Sequence, residues 1–193
     1  MATKYETTVS GENGFSLIET LIAMAILATG LLSMAGVFIM GLSQLAGASA
    51  SLIAREKARE AIESVHTARD IRTLPWCRIR NVGTATGCAN SAAGAFVTGA
   101  QPLRTPGLDG LVNTGDDGDI EVMVRPGPDG ILGNDDDTAT PMTNYTRQIE
   151  IADILLANGT PNPNLRRVTV TIGFDVAGSR RTYVLTTFLS SIS

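Results

Sequence analysis

The sequence predicts an α+β protein, one long N-terminal helix laid on a C-terminal antiparallel sheet of about four strands. Three observations predict it. A nearly uncharged apolar run opens the chain after a short polar leader, an amphipathic stretch of helical period follows without a break, and four segments of period-two alternation fall late in the chain. The 193 residues suit one modest domain plus attachments.

The apolar run comes first. Phe15 to Leu45 is 31 residues long with Glu19 as its one charge, and no Lys, Arg or His occurs between Phe15 and Ile53. A helix of about 20 such residues crosses a bilayer. An unpaired carboxylate in hydrocarbon costs several kcal/mol, so Glu19 needs a partner from another chain or from a newly made amino terminus. A secretory signal would offer LAGASAS (Leu45 to Ser51) for cleavage, but the run is too long for a signal core and lacks a basic leader. A plain signal anchor would leave Glu19 unexplained.

The order Gly14, Phe15, Ser16, Leu17, Ile18, Glu19 closely resembles the class III signal of type IV prepilins and pseudopilins. The resemblance implies that a prepilin peptidase cuts after Gly14 and N-methylates Phe15. It further implies that Glu19 pairs with the terminal amine of a neighbouring subunit, which neutralises both charges and sets the stagger of assembly. Residues 1–14 then form a leader, 15–50 a transmembrane and assembly helix, 51–74 the amphipathic half, and 75–193 a β-rich head. Lys4 in the leader is outweighed by Glu6 and Glu12, a departure from the usual basic leader that weakens the positive-inside signal. Gly36 lies where many major pilins carry a helix-breaking proline, and it reads as a mixture of close helix packing and a place to unwind. The pattern ATGLLSMAG is most similar to minor pilins of the type IV pilus modification, or V-type, class.

Beyond Ser51, Ala54, Ala58, Ala61, Ile62 and Val65 share one helix face, and Arg55, Glu56, Lys57, Arg59, Glu60 and Glu63 occupy the remainder. One helix is therefore predicted from about Ser16 to about Arg72, ended by Leu74-Pro75. Arg59 with Glu63 would support it at i,i+4. His66 borders the apolar stripe and reads as a helix-surface or partly packed residue. Cys77 and Cys88 lie in a loop-like stretch, and in an exported head they pair as one disulfide, the alternative being two free thiols. Trp76 either packs over the helix end or stands as an exposed contact.

Strands are predicted over Asp119–Arg125, Tyr145–Ile151, Arg167–Val176 and Arg181–Leu189, with a hairpin turn at Ala177-Gly178-Ser179. Val168, Val170, Ile172 and Phe174 should line one face, and Thr169 and Thr171 the other.

Between helix and hairpin lies a duplication offset by 20 residues, PGLDGLVNTGDD (Pro106 to Asp117) and PGPDGILGNDDD (Pro126 to Asp137), within Asp/Gly-rich stretches at 105–118 and 125–138. Two readings stand. Asp109, Asn113, Asp116 and Asp117 in one copy, and Asp129, Asn134, Asp136 and Asp137 in the other, supply hard oxygens of the kind calcium takes, although the order is not that of an EF-hand. Equally, Asp, Asn and Gly are what tight turns select.

Composition narrows the function. Net charge is -4 and is -3 once Lys4, Glu6 and Glu12 are removed, so there is no basic footprint for nucleic acid. One histidine, no Gly-x-Ser-x-Gly, no Walker motif and no zinc spacing argue against an enzyme. The resemblance implies a minor pilin of the inner membrane and pilus surface. Its partners would be the prepilin peptidase, the major and other minor pilins, and the inner-membrane assembly platform. A type II secretion pseudopilin, or an adhesin or DNA-capture module displayed by the filament, are the alternatives.

Overall fold

The structure is a computed structural model that describes residues 14–84, 88 and 94–192, leaving aside the side chain of Ala46; residues 1–13 of the predicted leader lie outside it. The chain divides into two compact units, Met1–Leu45 and Ala46–Ser193. Helix α1, Leu17–Asp70, contributes to both. It is followed by a short 3-10 turn at Trp76–Arg78 and by strands β1 Gln101–Pro102, β2 Val122–Arg125, β3 Thr138–Pro141, β4 Tyr145–Leu155, β5 Pro161–Val176 and β6 Ser179–Ser190.

In the first unit α1 is helical through Gly30, Gly36 and Gly41, and an added Cβ at each would meet only open space. Among the described residues no packing requires those glycines. Three hydroxyls in the segment bond back to their own helix: Thr20 donates to the Leu17 carbonyl, Thr29 to Ile26 and Ser33 to Thr29, at 2.8–2.9 Å. Back-bonding of this kind lets a hydroxyl sit on an apolar helix without an unmet donor.

The second unit holds the core. Ala54, Ala58, Ala61, Val65 and Ala68 of α1 are fully buried against Ile149, Val168, Val170, Ile172 and Phe174 of the sheet. Small residues on the helix let its backbone approach closely, and the bulk that fills the interior comes from β-branched strand residues, as native packing density demands. The helix ends as Arg72 turns left-handed, at φ 56°. Pro75 then opens the 3-10 turn. The charged face differs from expectation, since Arg59 leans back to Glu56 at 3.9 Å and Lys57 binds Glu60 at 2.7 Å.

Four antiparallel strands form the sheet in the order β1-β4-β5-β6. Three of the predicted strands are its members, each longer than its alternating core because ladder pairing continues past it. The fourth member is different. Asp119–Arg125 does not join this sheet; β2 pairs with β3 as a separate two-stranded ribbon, and the two-residue β1 takes the sheet position beside β4. Beyond the reach of β1, the buried side chain of Asn81 satisfies the β4 edge, donating to the Ile149 carbonyl at 2.6 Å and accepting from the Ile151 amide at 2.7 Å. The β5–β6 hairpin turns through Ala177 and Gly178, both at positive φ, as two-residue hairpin turns require.

Cys77 and Cys88 form a disulfide with Cα atoms 5.4 Å apart. Residues 85–87 of the loop it closes lie outside the described residues. Trp76 is half-buried and tied to β5: its indole N–H donates to the Pro163 carbonyl at 2.7 Å, and the Arg166 guanidinium stacks 4.1 Å from its ring centroid. Burial, reinforced by the neighbouring Arg80 charge, pulls Arg166 down to about 10, and Asp153 opposes the shift.

Candidate functional site

At the amino end, Gly14 and Phe15 precede the helix and are exposed. Ser16 acts as the helix cap. Its carbonyl accepts from the Glu19 and Thr20 amides, and its hydroxyl accepts from the Ile18 amide at 3.3 Å. Ser16 to Glu19 is thus a Ser-x-x-Glu sequence at a helix start, placing the Glu19 carboxylate in the first turn where the helix dipole favours negative charge. The spacing was readable in the sequence and gives Glu19 a local role in addition to a partner. Among the described residues Glu19 makes no ion pair.

Large apolar side chains from Phe15 to Leu45 are exposed throughout. The most apolar 18-residue window of α1 has a mean hydropathy of 2.3 and none of it is buried, so this is no core helix of a globular fold. Apolar surface on this scale suits hydrocarbon or other helices rather than water. Ala48 and Ala50, the alternative cleavage pattern, lie within the helix.

The acidic repeat is a structural repeat. Gly110 donates to the Gly107 carbonyl and Gly130 to the Gly127 carbonyl, each at 3.1 Å. Asp109 Oδ1 accepts from the Leu111 amide and Asp129 Oδ1 from the Ile131 amide, each at 2.8 Å. Asp117 Oδ2 accepts from the Asn113 amide and Asp137 Oδ2 from the Gly133 amide. Gly107 and Gly127 face Asp116 and Asp136 so closely that a Cβ would stand 2.4 and 2.2 Å from the carboxylates. These aspartates hold the loops by accepting the amides that the turns would otherwise leave unpaired.

The two asparagines hold different places in the repeat. Asn113 occupies the place of Gly133, both at positive φ (66° and 98°), because Asn and Gly are the residues that tolerate that backbone. Asn113 donates into the head, to the Val97 carbonyl, whereas Asn134 donates to Asp129 within its own loop. One buried oxygen per copy, Asn113 Oδ1 and Asp137 Oδ1, lacks a hydrogen-bond partner. Among the described residues no three His, Cys, Asp or Glu side chains gather as a metal-holding group. Thr114, donating to Asp116 at 2.8 Å, is the main cause holding that carboxyl below the usual aspartate range.

The first copy is also wired into the core. Arg147, fully buried on β4, reaches Glu121 at 3.4 Å, the Arg104 carbonyl at 3.2 Å and Asp117 at 3.8 Å. Lys57 of α1 closes the network on Glu121. Burial works against its charge, yet the bonds to Glu121 and Glu60 raise its pKa. The signal for this network was in the sequence: Arg147 falls on the same strand parity as Tyr145, Ile149 and Ile151, the core face, where a cation demands a partner.

Residues 9–35 match the prokaryotic N-terminal methylation motif, a span that contains Gly14, Phe15 and Glu19. No curated protein and no solved structure matches the chain. The N-terminal methylation motif, running into an exposed, membrane-compatible helix ahead of an α+β head, supports a type IV pilin-like protein.

Proposed function

We propose that the chain is a minor pilin, cut after Gly14 by the prepilin peptidase, methylated at Phe15, and inserted through α1 into a type IV pilus where it primes or modulates assembly. The observation that carries the reading is the methylation motif at 9–35. Cleavage creates an ammonium group at the positive end of α1, an unfavourable placement that a carboxylate in the first turn offsets. Glu19 meets that need, on its own chain or on the neighbour it contacts in the filament. The head stays outside the cytoplasm, in keeping with its disulfide. The protein works by assembly and not by catalysis, with the peptidase, other pilins and the assembly platform as partners.

N-terminal sequencing and intact mass of membrane-extracted protein test the reading. A 179-residue chain (193 minus 14) beginning at methyl-Phe15 is expected, and a start at Ser49 or Ser51 overturns it in favour of a secretory signal. Glu19→Val should still be cleaved but enter filaments poorly; normal incorporation would show that the charge is dispensable. Deleting the gene separates pilus from secretion machinery, since a pseudopilin would leave pili intact and retain secreted enzymes in the periplasm.

A further inference from the structure

One arginine of the head lies against α1 at Gly47, two residues past the end of the apolar run. Strand register sets Arg181 of β6 opposite Phe174 of β5, on the side of the sheet that faces the helix. A Cβ added at Gly47 would stand 3.2 Å from Arg181 Nη1 and 3.6 Å from Val176 Cγ1, so the guanidinium rests along the helix there. Arg181 is exposed and, among the described residues, makes no hydrogen bond or ion pair. Its basic neighbours are engaged. Arg180 reaches Asp175 at 3.1 Å, the Asn144 carbonyl at 3.3 Å and the Thr146 hydroxyl at 2.5 Å. Arg55 lies over the Tyr183 ring, 5.7 Å from its centroid. Arg181 thus keeps a permanent charge and five donors for a ligand.

We propose that Arg181 binds the phosphate of a phospholipid headgroup, in the leaflet that α1 leaves as it passes Leu45. Position selects the occupant. Phe15 to Leu45 is 31 residues, about 46 Å of helix at a rise of 1.5 Å per residue. A bilayer with both headgroup layers is about 40–45 Å thick, so a span that begins at one surface ends among the headgroups of the other. Gly47 follows Leu45 by at most about 7 Å of chain, which sets the guanidinium at the level of the phosphates. A guanidinium fork matches phosphate oxygens in pairs, with two parallel N–H donors. Tyr183, next on the same face of β6, supplies the amphipathic ring that suits such an interface. The contact would hold the β5–β6 turn at the lipid surface until the protein leaves the bilayer. The proposal rests on the membrane-spanning reading of 15–45 and not on cleavage at Gly14.

The test uses the full-length protein, disulfide intact, in phospholipid vesicles that carry a phosphate-free nitroxide lipid labelled at the surface. A fluorophore attached through Ser179→Cys, an exposed position in the turn, reports its distance from the label. Quenching is expected, and Arg181→Glu should lower it several-fold while Arg181→Lys keeps part of it. In galactolipid vesicles, which lack phosphate, quenching without the further substitution should fall to the level of Arg181→Glu, an arm that needs no variant at Arg181. Equal quenching in the two lipids, or quenching that ignores Arg181→Glu, overturns the proposal. Millimolar inorganic phosphate should leave the quenching unchanged, because headgroup phosphates are far more concentrated at the surface; a loss would mark a free-anion site and overturn the lipid assignment. Flotation of the same vesicles separates the two readings. Protein left behind refutes the span and the proposal together, whereas protein that floats with equal quenching refutes the proposal alone.

Discussion

Two loops of nearly the same sequence, Pro106–Asp117 and Pro126–Asp137, share the turn hydrogen bonds set by their aspartates and glycines, yet they meet different fates. The first buries Leu111 and Val112 to 2% and 1% exposure and joins Arg147 through Asp117. Its twin ends a ribbon in solvent. Local chemistry therefore shapes both loops, and the surroundings decide which of them contributes to stability. The difference teaches that a repeat in sequence can be conserved in form while one copy serves as core and the other as surface.

Breaking the anchor of the first copy should have the largest effect. Arg147→Ala leaves Glu121 and Asp117 without their buried cation, and about 3–5 kcal/mol of stability should be lost in denaturant unfolding of the detergent-extracted protein. A loss under about 1 kcal/mol would mean that Lys57 alone satisfies the site. Next, Leu111→Ala should cost about 2–5 kcal/mol through the cavity it opens. Its counterpart Ile131→Ala should stay within about 0.5 kcal/mol, as exposed positions do. Equal losses would refute the division between the copies.

Cations sharpen the comparison further. Asp109, Asp116 and Asp117 in the first loop, and Asp129 and Asp137 in the second, already accept from amides of their own loops, so millimolar calcium and magnesium should raise the melting temperature equally and slightly, by charge screening alone. A calcium-specific rise that grows with concentration, and that Asp116→Asn with Asp136→Asn abolishes, would establish calcium sites in the loops.

The smallest effect concerns pH. Burial, and after it the Arg69 charge, holds His66 below its ordinary value of 6.5, with Asp70 opposing. The fold thus favours the neutral imidazole: its contribution is whole above 6.5 and is lost as pH falls below that toward the lowered folded value. Unfolding midpoints at pH 7 and 5 should differ slightly more for the parent than for His66→Gln.

The sequence by itself determined the helix, its apolar and amphipathic halves, the three long strands and the processing motif. Each rests on a period or a short contiguous pattern, and the physical cause of such patterns is local: solvent or hydrocarbon on one face, core on the other. The methylation motif that spans Gly14, Phe15 and Glu19 was legible for the same reason, since such a motif and a helix cap are read along the chain. The ion network around Arg147, the Asn81 bridge to β4, the exclusion of β2 from the main sheet and the unequal burial of the repeat copies were decided by tertiary structure. Arg147 betrayed itself by strand parity, but its partners Glu121, Asp117 and Lys57 come from segments far apart in sequence. Leu111-Val112 and Ile131-Leu132 are equivalent in pattern and differ only in what lies beside them, and hydrophobic burial depends on that neighbour and not on the residues alone.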